Sequence, residues 1–274
     1  MTRTDTIAAN IMVHTKLADS YDSVEPHFRP ENQTKVKRRL SELRMQAPGG
    51  KLLDVGCGTG FIIHLAAEIF DEIHGVDVTK AMMDKVRKDL PNVVLHERSA
   101  EDLPFDDCSF DAATAYSFID HLDDPGVVLS EVRRVLKPGG RFYMDLLPNR
   151  MFWHAIQQLP DGNIADLSDI VQREVRMVTE NAKTIERNFG VDAQIFIAAE
   201  PGKRLGGIDP NEFRSLVLRS GFSRCEISFD WLLGQGSVMH DQSVADADTI
   251  DRYLKRLSPL SNQLYKYLYI IATR

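Results

Sequence analysis

The stretch "KLLDVGCGTGFIIHLA", residues 51–66, decides the fold. An apolar run closes on Asp54 and Val55. Glycines then stand at every second position, Gly56, Gly58 and Gly60, with Cys57 between the first two, and a second apolar run begins at Phe61. "KLLDVG" predicts a strand, and residues 61–70 predict a helix that is apolar almost all round and therefore buried. Glycine adopts φ > 0 and lacks Cβ, so at a strand-to-helix turn it permits a sharp bend and lets a ligand lie on the backbone. Three glycines in "GCGTG" make a ligand loop the stronger reading over a plain turn.

The same texture continues downstream. "EIHGVDV" (72–78), "NVVLHE" (92–97), "SFDAATAYSF" (109–118) and "RFYMDLL" (141–147) predict four more strands. Thr79 stands where a helix N-cap belongs, before "KAMMDKVRKDL". Val128, Val132, Val135 and Leu136 mark a helix that stops at "KPGG". Alternating βα units imply a parallel, doubly wound sheet that binds ligands at the carboxyl ends of its strands. Residues 31–46 predict an amphipathic helix with Val36, Leu40 and Leu43 on one stripe. Residues 209–222 predict a helix capped by Asp209, 224–232 a strand, 246–257 a helix, and 264–274 a final strand that enters antiparallel at an edge.

Residues 149–208 break the alternation. "NRMFWHAIQQL" predicts a helix, while "QREVRMVTE", "TIERNFGV" and "AQIFIAAE" predict antiparallel strands. A segment this long exceeds the roughly 2–6 residues a connection needs. It is expected to be an inserted cap over the substrate. The expected organisation is an N-terminal helical segment (1–50) covering the cofactor site, a core of 51–148 and 209–274, and the cap of 149–208.

The chain has 274 residues, 43% of them hydrophobic, enough for a sizeable core. Its net charge of −7 argues against a nucleic-acid partner. Cys57, Cys108 and Cys225 form no CxxC pair, so neither a disulfide framework nor a metal site is expected. No run approaches the ~18 apolar residues of a membrane span, and the expected setting is cytoplasmic, with no membrane insertion and a monomer or homodimer.

The loop alone admits two ligands. The dinucleotide pattern is G-x-G-x-x-G. Here the third glycine comes one residue early and Phe61 occupies the expected position. Asp77 closes the second strand, where a carboxylate suits ribose hydroxyls of any nucleoside. A second acid, in "ERSAEDLPF" (97–105), lies beyond the third strand, where it can accept from an adenine amino group.

Taken in order, "LLDVGCGTG", "IHGVDVT", "SAEDLPFDDCSFDAATAYSFIDHLDDP" and "VLKPGG" resemble the successive motifs of class I S-adenosylmethionine-dependent methyltransferases, closest to the small-molecule and quinone-type group. The resemblance implies a Rossmann-like α/β fold, a seven-stranded sheet with the last strand antiparallel and helices on both faces. It implies that Gly56, Gly58 and Gly60 carry the methionine moiety and that Asp54 holds the loop or the cofactor amino group. Asp77 would take the ribose hydroxyls and Val78 would pack on the adenine. Ala100 and Glu101 would contact the adenine, with Glu101 or Asp102 accepting from its amino group. Tyr116 and Ser117 would lie near the reacting methyl. Tyr21, in "SYDSVEP", resembles the Tyr-Asp of N-terminal segments that fold over the cofactor.

Methyl transfer from a sulfonium is an in-line displacement in which alignment can contribute roughly 7–11 kcal/mol. A base matters when the acceptor must lose a proton, with a value of about 10²–10⁴-fold. His121, just past the fourth strand, His154, at the opening of the cap, and His240, after the sixth strand, are the candidate bases, with Asp145 a weaker one that could point at a cover helix. His14, His27, His64, His74 and His96 read as structural or exposed. Phe152, Trp153, Phe189, Phe196 and Trp231 suggest an apolar or aromatic acceptor if they line a pocket. There is no Pro-Pro-aromatic motif after strand four, which disfavours methylation of nucleic-acid bases. The expected function is methyl transfer to a small organic acceptor, at oxygen first, then nitrogen or carbon. The alternatives are a nicotinamide-dependent oxidoreductase and a non-catalytic cofactor-binding subunit.

Overall fold

The computed structural model describes residues 3–47, 49–159, 168–204 and 206–274. Seven strands, β1 (Lys51–Val55), β2 (Glu72–Asp77), β3 (Val93–Glu97), β4 (Phe110–Tyr116), β5 (Leu136–Pro148), β6 (Arg224–Leu232) and β7 (Tyr265–Thr273), form one sheet in the order β3-β2-β1-β4-β5-β7-β6. Strands β1 to β5 pair in parallel, and β7 runs antiparallel to both β5 and β6. β7 is therefore antiparallel as expected but interior, and β6 takes the edge. A return from β6 through the helices Gln235–Asp241 and Val244–Arg256 lets β7 pair on both sides, which satisfies more backbone groups than an edge position would.

Consecutive strand residues point to opposite faces, so each central strand supplies two cores. Leu53, Ala113, Phe142 and Ile270 pack on one face under the helices Pro125–Val135 and Pro210–Arg219. Leu52, Ala112, Tyr143 and Ile73 pack on the other, under Val36, Leu40 and Leu43 of the helix Pro30–Gln46 and under the short helix Phe61–Ala66. Asp209 caps its helix through the N–H groups of Asn211 and Glu212, as its position predicts.

The inserted segment contradicts the strand expectation. "QREVRMVTE" and "TIERNFGV" fall mostly in one helix, Asp169–Phe189, and "AQIFIAAE" falls in a second, Ala193–Ala199. Val171 and Val175 of the first helix pack with Phe152, Trp153 and Ile156. Its other end, Ala182, Ile185 and Phe189, packs with Phe196 and with Ala9, Val13 and Leu17 of the first helix of the chain, Arg3–Leu17. The insertion and the N-terminus thus share an apolar cluster of their own, apart from the two cores of the sheet.

No described helix is long and apolar enough to cross a membrane.

Candidate active site

In the order β3-β2-β1-β4, the chain reverses direction of progress between β1 and β4, and a crevice opens beyond the carboxyl ends of these strands. The glycine loop fills its floor. Gly56 has φ +68°, and a Cβ there would lie 2.2 Å from the Phe118 ring, so only glycine fits. The N–H groups of Gly56 and Cys57 both donate to the carbonyl of Val76, at 2.8 and 3.1 Å, which ties the loop to the end of β2. Gly58 has φ +51° and faces the crevice, where the nearest atom to an added Cβ is Met82 Cε at 3.6 Å.

Asp77 closes the floor. Its Oδ2 accepts from the Gly58 N–H at 2.9 Å and its Oδ1 from the Thr79 N–H at 2.7 Å. Asp77, not the Thr79 side chain, therefore caps the turn into the helix Lys80–Met83. Burial pushes the Asp77 carboxyl up, against those two N–H bonds. Asp54, 1% exposed, accepts from Thr114 Oγ1 at 2.8 Å, and burial pushes its pKa up to about 7.

The resulting cleft encloses about 1040 Å³ including its open mouth. It brings together most of the residues expected from sequence. Asp54, Gly56, Cys57 and Gly58 line it from β1, and Asp77 and Val78 from β2. Ala100 and Glu101 follow β3, Tyr116 and Ser117 end β4, and His121 and Tyr21 complete the wall. Ser117 holds φ +49°, an uncommon conformation for a side-chain-bearing residue and one that concentrates at ligand sites.

Other expected residues stand elsewhere. Gly60, at φ +90°, is the N-cap of the helix Phe61–Ala66 and does not line the cleft. Asp102 is exposed one residue past Glu101, outside the wall. His154 is also exposed, with its Nε2 2.9 Å from Gln158 Nε2, because its helix turns Phe152 and Ile156 inward instead. His240 belongs to the helix Gln235–Asp241, and its side chain lies outside the described residues. Asp145 turns to the cover helix and pairs with Arg39 at 2.7 Å. Phe152, Trp153, Phe189, Phe196 and Trp231 all pack in apolar clusters away from the cleft.

Sequence reasoning named Tyr21 from the N-terminal segment but missed the other residues that segment brings to the wall. Thr6, Asn10 and His14 of the helix Arg3–Leu17 line the cleft, as does His27. The signal was a stripe of uncharged polar residues at i, i+4 spacing beside the apolar stripe Ala9, Val13, Leu17. His14 and His27 are thus cleft residues. Burial lowers their pKa values to about 4 and about 3, which leaves both rings neutral. Thr6 Oγ1 is buried against the cleft with no hydrogen-bond partner, an orphan that a ligand group would satisfy.

His121 is oriented from the insertion. Its Nδ1 lies 2.9 Å from the Ala199 carbonyl oxygen. A carbonyl only accepts, so Nδ1 carries the proton and Nε2 keeps its lone pair. The His14 ring stands edge-on, with centroids 5.1 Å apart.

The residues present fit S-adenosylmethionine. Its sulfonium and ammonium groups are positive, and Asp54, Asp77, Glu101 and Asp123 line the cleft against one cation, Arg98. A bound nucleoside would meet an acid at the end of β2, and an amino acid moiety would meet bare loop at Gly58.

Comparison with known proteins agrees. Residues 53–144 match the family model described as a methyltransferase domain. The chain is 35% identical over 138 residues to a demethylmenaquinone methyltransferase of Symbiobacterium thermophilum, covering 46% of this chain and 54% of that protein. It is 33% identical over 251 residues to the biotin biosynthesis bifunctional protein BioHC of Teredinibacter turnerae, covering 79% of this chain and 43% of that protein. The chain spans about half the length of the curated relatives it matches. An S-adenosylmethionine-dependent methyltransferase from Mesorhizobium loti shares the fold, with a TM-score of 0.54 and 17% identity over 86% of this chain and 96% of that one. Residues 53–144 thus carry a methyltransferase domain, and the sheet as a whole has the class I methyltransferase fold.

Proposed function

We propose that the protein transfers the methyl group of S-adenosylmethionine to a protic heteroatom, oxygen or nitrogen, of a small organic acceptor. The observation that carries this reading is the convergence of Asp54, Asp77 and Glu101, from three successive strand ends, on one cleft that also holds His121. The bound cofactor supplies a methyl group on a sulfonium leaving group. The chain's own residues do the rest. The loop at Gly56 and Gly58 and the acid Asp77 fix the nucleoside and methionine ends. Glu101 serves the adenine amino group. The N-terminal helix covers the cleft and excludes water, and the helix Ala193–Ala199 braces His121 from behind. His121 Nε2 receives the proton of an acceptor O–H or N–H, its ring held in place by the Ala199 carbonyl.

This reading favours a polar acceptor over the apolar one suggested by the aromatic residues of residues 149–208, because those rings pack away from the cleft. A quinone-type acceptor, by analogy with the demethylmenaquinone methyltransferase, is the second reading, carried by 35% identity across the cofactor half of the chain.

His121→Ala is expected to lower turnover roughly 10²–10⁴-fold with whichever phenol, alcohol or amine a tritiated-methyl screen returns. S-adenosylhomocysteine affinity should stay within a few fold. Full turnover in the variant would remove His121 from the chemistry and leave positioning alone.

A further inference from the structure

We propose that the acceptor is a small amine, whose ammonium group is seated between Asp120, His121 and Glu200, behind the part of the cleft wall that His121 forms. This deepens the methyltransferase reading and rests on it.

Asp120 and His121 come from the single turn Ile119–His121 after β4, and Glu200 follows the helix Ala193–Ala199. A carboxylate oxygen of Asp120, a ring nitrogen of His121 and a carboxylate oxygen of Glu200 all lie within 4.8 Å of one another. A point between three atoms so spaced lies up to about 2.8 Å from each, which is the length of a charge-assisted bond from an ammonium group, roughly 2.7–2.9 Å.

The resident Lys203 points the same way. Its Nζ lies 2.6 Å from Glu200 Oε1 and 3.6 Å from Asp120 Oδ2. An ammonium group therefore already fits one side of these carboxylates. Lys203 leaves one atom unserved. Asp120 is 1% exposed, yet its Oδ1 has no hydrogen-bond partner. A buried carboxylate oxygen without a donor is costly, and a ligand N–H relieves that cost.

The charge around the point is unbalanced. Asp120 and Glu200 face one ammonium group, that of Lys203, while the neighbouring His14 is neutral. A cationic acceptor offsets the excess, and an anionic one is repelled. His121 belongs both to this cluster and to the cleft wall, so a group held here sits beside the ring whose Nε2 is open.

The test uses the full chain saturated with S-adenosylhomocysteine. Three compounds on one skeleton, benzylamine, benzyl alcohol and benzoate, are titrated calorimetrically, with ethanolamine, ethylene glycol and glycolate as a second set. At least one amine is expected to bind at least tenfold tighter than its alcohol, and neither carboxylate to bind. Asp120→Asn should erase that preference while S-adenosylhomocysteine affinity is unchanged. Glu200→Gln, expected to act in the same direction, covers the case in which Asp120→Asn folds poorly. Equal affinity for amine and alcohol, no binding of either amine, or a preference that survives both variants would overturn the proposal. So would Mg²⁺ or Ca²⁺ binding more tightly than the amines and lost in Asp120→Asn, which would place a metal there. A chain that fails to bind S-adenosylhomocysteine fails the methyltransferase reading itself, a separately visible result.

Discussion

Arg39→Met is expected to lose about 3–5 kcal/mol of folding stability, the usual consequence of stranding a buried charge. The guanidinium of Arg39 spans two carboxylates, with Nη1 2.7 Å from Asp145 Oδ2 and Nη2 2.9 Å from Asp230 Oδ2. It also lies 3.8 Å over the Tyr269 ring. Both acids are nearly sealed, at 1% and 6% exposure. Burial raises the Asp145 carboxyl, and Arg39 is the main force opposing that rise. Lys35, at 2.7 Å from Asp230, can hold that acid alone, but among the described residues no second cation pairs with Asp145. The residues after both acids, Leu146 and Trp231, adopt positive φ, at +57° and +60°, and each donates its N–H to the acid before it. The strained turns therefore aim the carboxylates at one helix position. Arg39→Lys keeps a charge but not the fork, so about half the loss is expected. Urea denaturation of the three proteins decides it. A loss under 1 kcal/mol in Arg39→Met would mean that the network does not lock the helix Pro30–Gln46 to the sheet.

Asp54→Asn is expected to separate stability from binding. The folded, ligand-free carboxyl titrates at about 7 because it is buried, while an unfolded aspartate titrates at 3.8. Between those values the native state holds a proton that the unfolded state does not. Stability therefore falls as pH rises through that window, by about 1.4 kcal/mol per unit, and is level above it. Asparagine cannot ionise, and its amide oxygen can still accept from Thr114. The variant should match the wild type near pH 4 and exceed it by a few kcal/mol at pH 8. Ligand binding should move oppositely. If Asp54 holds the cofactor ammonium group, wild-type affinity for S-adenosylhomocysteine falls roughly tenfold per unit below pH 7, and the variant is weak at every pH. A variant less stable than the wild type at pH 8, or one that binds S-adenosylhomocysteine normally, contradicts this role.

The half of the chain that builds the cofactor site was readable because its signals are local. The bend at Gly56, the acid at Asp77 and the apolar runs of β1, β2, β4 and β5 each lie within a few residues of what they determine. The insertion was misread for a physical reason. The helix Asp169–Phe189 serves two separate apolar clusters, Val171 and Val175 facing one and Ala182, Ile185 and Phe189 the other. Its stripe breaks in the middle, and its β-branched residues imitate strands. Asp192, whose Oδ1 accepts from the N–H groups of Gln194 and Ile195, was the overlooked start signal of the next helix. The ionic cluster was illegible for another reason. Glu200 and Lys203 stand three residues apart, but Asp120 reaches them only through tertiary packing, which no spacing along the chain records.

The central claim is that the cleft takes an adenosyl sulfur compound. Isothermal calorimetry of the unaltered chain with S-adenosylhomocysteine, and separately with NADH, tests it most directly. Saturable one-to-one binding of S-adenosylhomocysteine and no heat from NADH is the expected result. Tight NADH binding with no response to S-adenosylhomocysteine would contradict it.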